Sequence, residues 1–438
     1  MVSVRSWYIA ARSVIISRQH TLRVGAWGLA NSLLIPAYGI FAIVVVFRAT
    51  PEQELGAYLV LQAIYLMVVQ LARSFGYTPM IRHFFDEERR GAIVGSSLAL
   101  TLIFHLVAIG GLLVLRNHAA RLFGCPQLPT LIWFVAGAVV LGVPSELRIG
   151  ILQALHHTRQ VFAINASYQL TMIAAISVTV MTTGRAHATQ LLEAAVFAAA
   201  VSSVVSLAVA PRGLYGPRVT RLELRRMYDY GRYTLGTSLS GVVFTRVDVL
   251  ILSAFRGSLE VAAYGVSKVF ARVFDVYLNT AALVLFPLFC RLWGENRRDD
   301  LRRAYNRLLL GSNLVFVPLV ILVAVVAIPL VRLFYGDKYP TAGPLLMAFA
   351  LTGLTLPWIT LAQNLVNAAG VPSFVFGARI AIAASNLVLD VVLIRRFGAF
   401  GAIAATLMSF TMLAVLMTRK ASRVFTFGPA DAAPRHDV

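Results

Sequence analysis

Cysteine, acidic residues and long polar stretches are all scarce in this chain. Only two of its 438 residues are cysteine, Cys125 and Cys290. Two thiols cannot make a disulfide framework, and they lack metal-ligand spacing. Charged residues make up 13% of the chain, too few for an ordinary soluble surface, and Asp and Glu number 19 against 39 Lys and Arg. The longest polar connection, Pro211 to Arg232, spans only about 20 residues, too short for a catalytic domain. A P-loop, a nucleophile elbow and a His-Glu-x-x-His pair are also missing. The one carboxylate run, Asp86-Glu87-Glu88, lies between Arg82 and Arg89-Arg90 and reads as a solvated, charge-compensated loop. The chain therefore reads as a non-enzyme that needs no cofactor.

What abounds is apolar sequence, at 58% of residues. Twelve stretches are long enough to cross a hydrocarbon layer of about 30 Å. They lie near 24–47, 55–78, 92–115, 130–152, 161–183, 188–210, 233–255, 261–289, 308–334, 342–369, 373–394 and 398–418. A spanning segment must satisfy its own backbone hydrogen bonds, so these are expected to be helices and the fold all-α. Residues 1–23, with Arg5, Arg12, Arg18 and Arg23, read as a basic amphipathic segment on the membrane surface. Residues 24–210 and 233–419 form two six-helix lobes, 211–232 a linker, and 420–438 a polar tail.

The formal charge of +20 is unevenly placed. When loops are assigned alternately to two sides, the N-terminal side receives about 27 Lys and Arg and the other about 9, which makes both termini cytoplasmic. The basicity records topology and contact with anionic lipid, not nucleic-acid binding.

The chain also describes one bundle twice. Arg121-Leu122-Phe123-Gly124, then Pro129, returns as Arg332-Leu333-Phe334-Tyr335-Gly336, then Pro340. Phe47-Arg48 with Ala57-Tyr58 returns as Phe255-Arg256 with Ala263-Tyr264. Gln153-Ala154 with Val161-Phe162 returns as Asn367-Ala368 with Val375-Phe376. The offset stays near 206–214 residues, a duplication of halves like that of secondary transporters, whose sites lie between the repeats.

Ionisable groups inside spanning helices are costly and mark candidate sites. In the eighth segment Lys268, Arg272, Asp275 and Asn279 fall at i, i+4, i+7 and i+11, one helical stripe that Tyr264 extends. Asp275 cannot neutralise both cations, so the stripe reads as an anion-binding face; the plainer reading is a structural Arg272–Asp275 pair. Gln62, Gln70 and Arg73 repeat the stripe in the second segment, where Arg73 is either a cavity cation or a snorkelling boundary residue. In the seventh, Arg246 is the cavity candidate and Asp248 is structural or ion-linked. In the eleventh, Arg379, Asn386 and Asp390 again share a face; Asn386 and Asp390 offer oxygens to Na⁺ or a proton, or bond neighbouring helices. Glu146 and Arg148 read as boundary charges after the helix-breaking Pro144. The binding candidates are thus Arg73, Arg246, Lys268, Arg272 and Arg379. The coupling candidates are Asp275 first, then Asp390, Asn386 and Asp248.

The run Asp248 to Arg256, followed by Ala263-Tyr264-Gly-Val, resembles the seventh-to-eighth helix signature of the polysaccharide, or lipid-linked oligosaccharide, flippases. These belong to the multidrug/oligosaccharidyl-lipid/polysaccharide exporter superfamily. Leu333 to Tyr339 resembles that family's short turn, and Asn364–Gly370, Asn386–Asp390 and Phe397–Ala402 resemble its helix ten-to-twelve region. The resemblance implies two six-helix lobes around a central cavity. It also implies export of a polyprenyl-diphosphate-linked glycan (exopolysaccharide, O-antigen or capsule unit) across a bacterial inner membrane. Membrane lipids, a polysaccharide polymerase and assembly proteins are the implied partners. Twelve helices, rather than fourteen, disfavour lipid II as cargo. The net positive charge of the candidate residues suits a diphosphate better than the organic cations of a multidrug antiporter. A membrane glycan polymerase or glycosyltransferase would need an external loop or an acidic surface site that the chain does not show.

Overall fold

The structure, a computed structural model, describes residues 26–28, 30–84, 87–155, 157–209, 218–271, 274, 285–286 and 288–426. Among these, all regular structure is helical. The helices are α1 (Ala26–Ala49), α2 (Glu52–Ile81), α3 (Arg90–Leu122), α4 (Leu128–Ala154), α5 (Thr158–Thr183), α6 (Ala188–Val209) and α7 (Arg221–Arg256). They continue as α8 (Ser258–Ala271), α9 (Arg298–Tyr335), α10 (Ala342–Ala368), α11 (Pro372–Phe397) and α12 (Ala399–Phe425). Eleven of them, all but α8, are long and apolar enough to cross a membrane. The eighth expected segment continues past α8 into residues outside the described set. Large apolar side chains such as Val114, Met181, Val325 and Leu333 stand exposed, as a lipid-facing surface requires.

Two helices carry a local irregularity. The opening helix of each half contains one π-helical turn, Ala42–Val46 in α1 and Val243–Val247 in α7. Such turns insert a residue into an α-helix and recur at functional sites.

The chain forms two compact units. One is drawn from Met1–Ala49, Val68–Arg116 and Pro129–Leu235, the other from Thr50–Met67, Asn117–Leu128 and Gly236–Val438. The first half thus lends the start of α2 and the α3–α4 turn to the unit that holds the C-terminal helices. Polar contacts within that second unit hold these pieces. The Ser253 hydroxyl donates to the Phe123 carbonyl, the Lys338 ammonium to the Thr50 carbonyl, and Gln127 Nε2 to Glu54 Oε1 at 3.2 Å. Cys125, in the α3–α4 turn, is buried, and burial pushes its thiol above the usual range against the pull of the Leu128 and Gln127 backbone N–H groups. Both cysteines are free.

The core of the first unit gathers Met80, Phe84, Ile93, Ile151 and Met227; that of the second gathers Leu361, Leu365, Leu413 and Met417 from α10 and α12. The α11–α12 turn shows how sequence sets a helix end. Gly398 has φ 59°, and a Cβ there would lie 2.0 Å from a Glu260 carboxylate oxygen. That oxygen accepts the Ala399 N–H at 2.7 Å, a side-chain cap supplied by a different helix.

Reporter fusions after Arg185 and after Arg226 are expected to report opposite sides of the membrane, since α6 lies between them. Signals from the same side would remove α6 as a span.

Candidate functional site

The π-turn of α7 carries Arg246 and delivers Asp248 as the first residue of regular helix after it. Asp248 is 3% exposed. One of its oxygens accepts the Val249 N–H at 2.8 Å. The other accepts both the Tyr264 hydroxyl and the Lys268 ammonium from α8. Tyr264 and Lys268 are one helical turn apart, so both reach a single carboxylate on the neighbouring helix. The Lys268 ammonium also donates to the Thr245 carbonyl, inside the π-turn, at 3.2 Å. It lies 5.2 Å from the centre of the Tyr264 ring, which in turn packs against Phe349 of α10. The eighth-segment stripe therefore begins with a cation that already has a counter-ion.

From α11, Asp390 is fully buried, and neither of its carboxylate oxygens has a hydrogen-bond partner among the described residues. Its helix packs against the π-turn of α7 and the stretch that begins at Asp248. Asn386, one turn earlier, is buried too, with an unpartnered side-chain N–H₂. Asp248, Tyr264 and half-buried Lys268 thus form one bonded group, and the buried Asn386 and Asp390 lie on a helix packed against it, all in the second unit. Two carboxylates against one ammonium leave this region rich in acceptor oxygens.

The other candidates lie elsewhere. Arg379 is half-buried and donates from Nε to Gln363 Oε1 of α10 at 3.1 Å. It stands eleven residues before Asp390, about 16 Å along the helix, so the shared stripe does not make a shared site. Arg246 is half-buried on the π-turn. Arg272 and Asp275 lie outside the described residues. Arg73, in the first unit, is bound by Glu146 of α4, with Nε to Oε2 at 2.7 Å and Nη2 to Oε1 at 2.6 Å. Arg148 has no ion-pair partner among the described residues.

Sequence reasoning joined Asn386 with Asp390 on one face but placed Asp248 and Lys268 apart from them and from each other. It also gave Glu146 no partner. A usable signal existed for the first grouping, since Tyr264 and Lys268 sit at i and i+4 and demand one acceptor between them. For Arg73 and Glu146, 73 residues apart, the sequence carries none.

Eleven helices long and apolar enough to cross a membrane, with charged side chains buried among them, define a multi-pass membrane protein. The chain belongs to the family described as polysaccharide biosynthesis protein, whose pattern matches residues 52–344. Among curated relatives, the probable low-salt glycan biosynthesis flippase Agl15 of Haloferax volcanii is 20% identical over 84% of this chain and 76% of its own length. The uncharacterized membrane protein MJ1068 of Methanocaldococcus jannaschii is 24% identical over 44% of this chain, but that match spans only 38% of the relative. The probable flippase AglR of Haloferax volcanii is 25% identical over 49% of this chain and 45% of its own length. The fold is shared with an inward-facing multidrug resistance MATE family transporter of the MOP superfamily (TM-score 0.76, 15% identity, 90% of this chain and 94% of the other). It is shared equally with the lipid II flippase MurJ in an inward closed conformation (TM-score 0.74, 13% identity, 92% and 89%).

Proposed function

We propose that this protein moves an anionic polyprenyl-diphosphate-linked oligosaccharide across a bacterial inner membrane by alternating access, with both termini cytoplasmic. The observation that carries this reading is the excess of basic over acidic side chains on the apolar helices. Arg246, Lys268 and Arg379 stand on α7, α8 and α11, with Arg73 and Arg148 nearer the boundary on α2 and α4. Guanidinium groups offer a diphosphate paired, planar hydrogen bonds. The naming of Agl15 as a glycan biosynthesis flippase supports the cargo class.

Transport against a gradient needs coupling, and the buried cluster supplies a reading of it. Asp390, with both oxygens unpartnered, takes up a proton or Na⁺ as co-substrate, assisted by Asn386 and Asp248. Adding that positive charge weakens the hold of Asp248 on Lys268 and so links the ion to the position of α8.

The cargo is tested by identifying the lipids that co-purify with the protein, by mass spectrometry. A polyprenyl-diphosphate glycan is the expected species. Co-purification of phospholipids alone, together with no uptake of such a glycan lipid above protein-free vesicles, would overturn the reading.

A further inference from the structure

The first unit contains a charged pair that the coupling cluster does not use. Arg73 of α2 and Glu146 of α4 meet in a two-pronged ion pair, 2.7 and 2.6 Å, in which the flat guanidinium faces both carboxylate oxygens. Arg offers the same fork to a phosphate, so Glu146 occupies the place a phosphate group would take. The pair is not sealed. The Arg73 side chain is 47% exposed and that of Glu146 25%. An ion pair this open is in contact with water or lipid headgroups, not with hydrocarbon.

Its surroundings hold Arg73, whereas Glu146 stands on a stretch of α4 whose backbone ladder is interrupted. The guanidinium lies 5.8 Å from the centre of the Tyr77 ring, one turn along α2, and the Tyr77 hydroxyl is itself held by Gln153 Oε1 of α4. Glu146 instead follows Pro144, which lies inside α4 and removes one bond of its ladder. The Ser145 hydroxyl turns back to the Gly142 carbonyl at 2.8 Å, a further local departure from regular bonding. Along α2, Arg73 lies 21 residues past Glu52, roughly 31 Å, which places it near one membrane boundary, the level of lipid phosphates.

We propose that Glu146 is a specificity-determining residue: a built-in counter-ion that masks Arg73 and gives way to the diphosphate of the cargo, then returns to expel it. The proposal rests on the diphosphate cargo reading but is tested apart from it. Zwitterionic and neutral lipids do not displace a carboxylate from a guanidinium, so the exchange admits only cargo with a strong multivalent anion. The returning carboxylate prevents the product from being held too tightly.

The test is binding of inorganic pyrophosphate to the purified full chain in detergent, by calorimetry. Glu146→Gln is expected to bind about tenfold tighter than the native protein, because the competing charge is gone. Arg73→Gln should bind more weakly, and the double Arg73→Gln/Glu146→Gln variant should match Arg73→Gln. Glu146→Asp, which keeps the charge but shortens its reach, should fall between native and Glu146→Gln, and it serves if Glu146→Gln does not fold. An affinity unchanged from native in either Glu146 variant overturns the proposal, as does a double variant that binds as tightly as Glu146→Gln. A merely structural pair would lower the melting temperature of both single variants and leave affinity alone. If Glu146→Gln binds pyrophosphate tightly while no glycan lipid co-purifies, the cargo reading falls and the masked anion site stands.

Discussion

Asp248→Asn is expected to stop transport and to destabilise the protein more than any other single change in the buried cluster. The variant keeps the shape but removes the charge that faces the Lys268 ammonium. Lys268 has the Thr245 carbonyl and the Tyr264 ring beside it, and neither replaces a full negative charge. Removing one partner of a buried pair costs about 3–5 kcal/mol, most of it from the charge left behind. Lys268→Met in the same background removes that charge too. The double variant should therefore recover most of the melting temperature, since two uncharged side chains fill the space without an unpaired ion. Transport should not recover, because the link between α7, α8 and Asp390 is gone. The measurements are thermal melting in detergent and glycan-lipid uptake by proteoliposomes. An Asp248→Asn protein that melts like the native one would show that the pair contributes nothing to the fold. A double variant with full gradient-driven uptake would show that coupling lies elsewhere.

Gly56→Val is the second change with a large expected effect. Gly56 lies in the first turns of α2, within the second unit, and a Cβ there would come to 1.9 Å from the Ser258 carbonyl oxygen at the start of α8. Backbone atoms cannot turn away as a flexible side chain can, so α2 and α8 must separate. Small residues that allow such an approach are what let membrane helices pack closely. The contact also sits beside the bonds that tie residues 50–67 and 117–128 to the C-terminal helices. The variant is expected to lose about 1–3 kcal/mol of stability, as overpacking does, and most of its transport. In a Cys290→Ser background, a cysteine at position 258 should become reactive to an impermeant thiol reagent, while buried Cys125 stays unlabelled. The control is Gly142→Ala in α4, where a Cβ meets nothing within 4 Å. Relief of glycine's conformational freedom there should leave stability equal or raised by roughly 0.5–1 kcal/mol. Equal transport by Gly56→Val and the native chain would show that the close contact is not part of the working cycle.

The helices themselves were legible in the sequence, because a spanning segment has few solutions to its backbone hydrogen bonds and announces itself by length and composition. The repeat of short motifs is likewise a property of the sequence alone, whereas the π-turns of α1 and α7, 201 residues apart, do not follow its offset. The individual acids and bases could be named for the same reason, since any charge within an apolar run stands out. Helical periodicity then placed Tyr264 and Lys268 on one face, and Asn386 and Asp390 on another.

Only the tertiary structure decided which face meets which. Periodicity describes one helix, whereas the partner of a charge depends on how helices cross and how closely small residues let them approach. Lys268 was read with Arg272 and Asp275, its neighbours in sequence, yet its counter-ion is Asp248 on the adjoining helix. Arg73 was read alone, and its counter-ion lies 73 residues away across α4. The division into compact units likewise depends on contacts across the repeat boundary, at Thr50, Gly56 and Phe123, which no local pattern encodes. The sequence by itself determined that charges would be buried and of which sign. Packing determined which of them meet a counter-ion on a neighbouring helix.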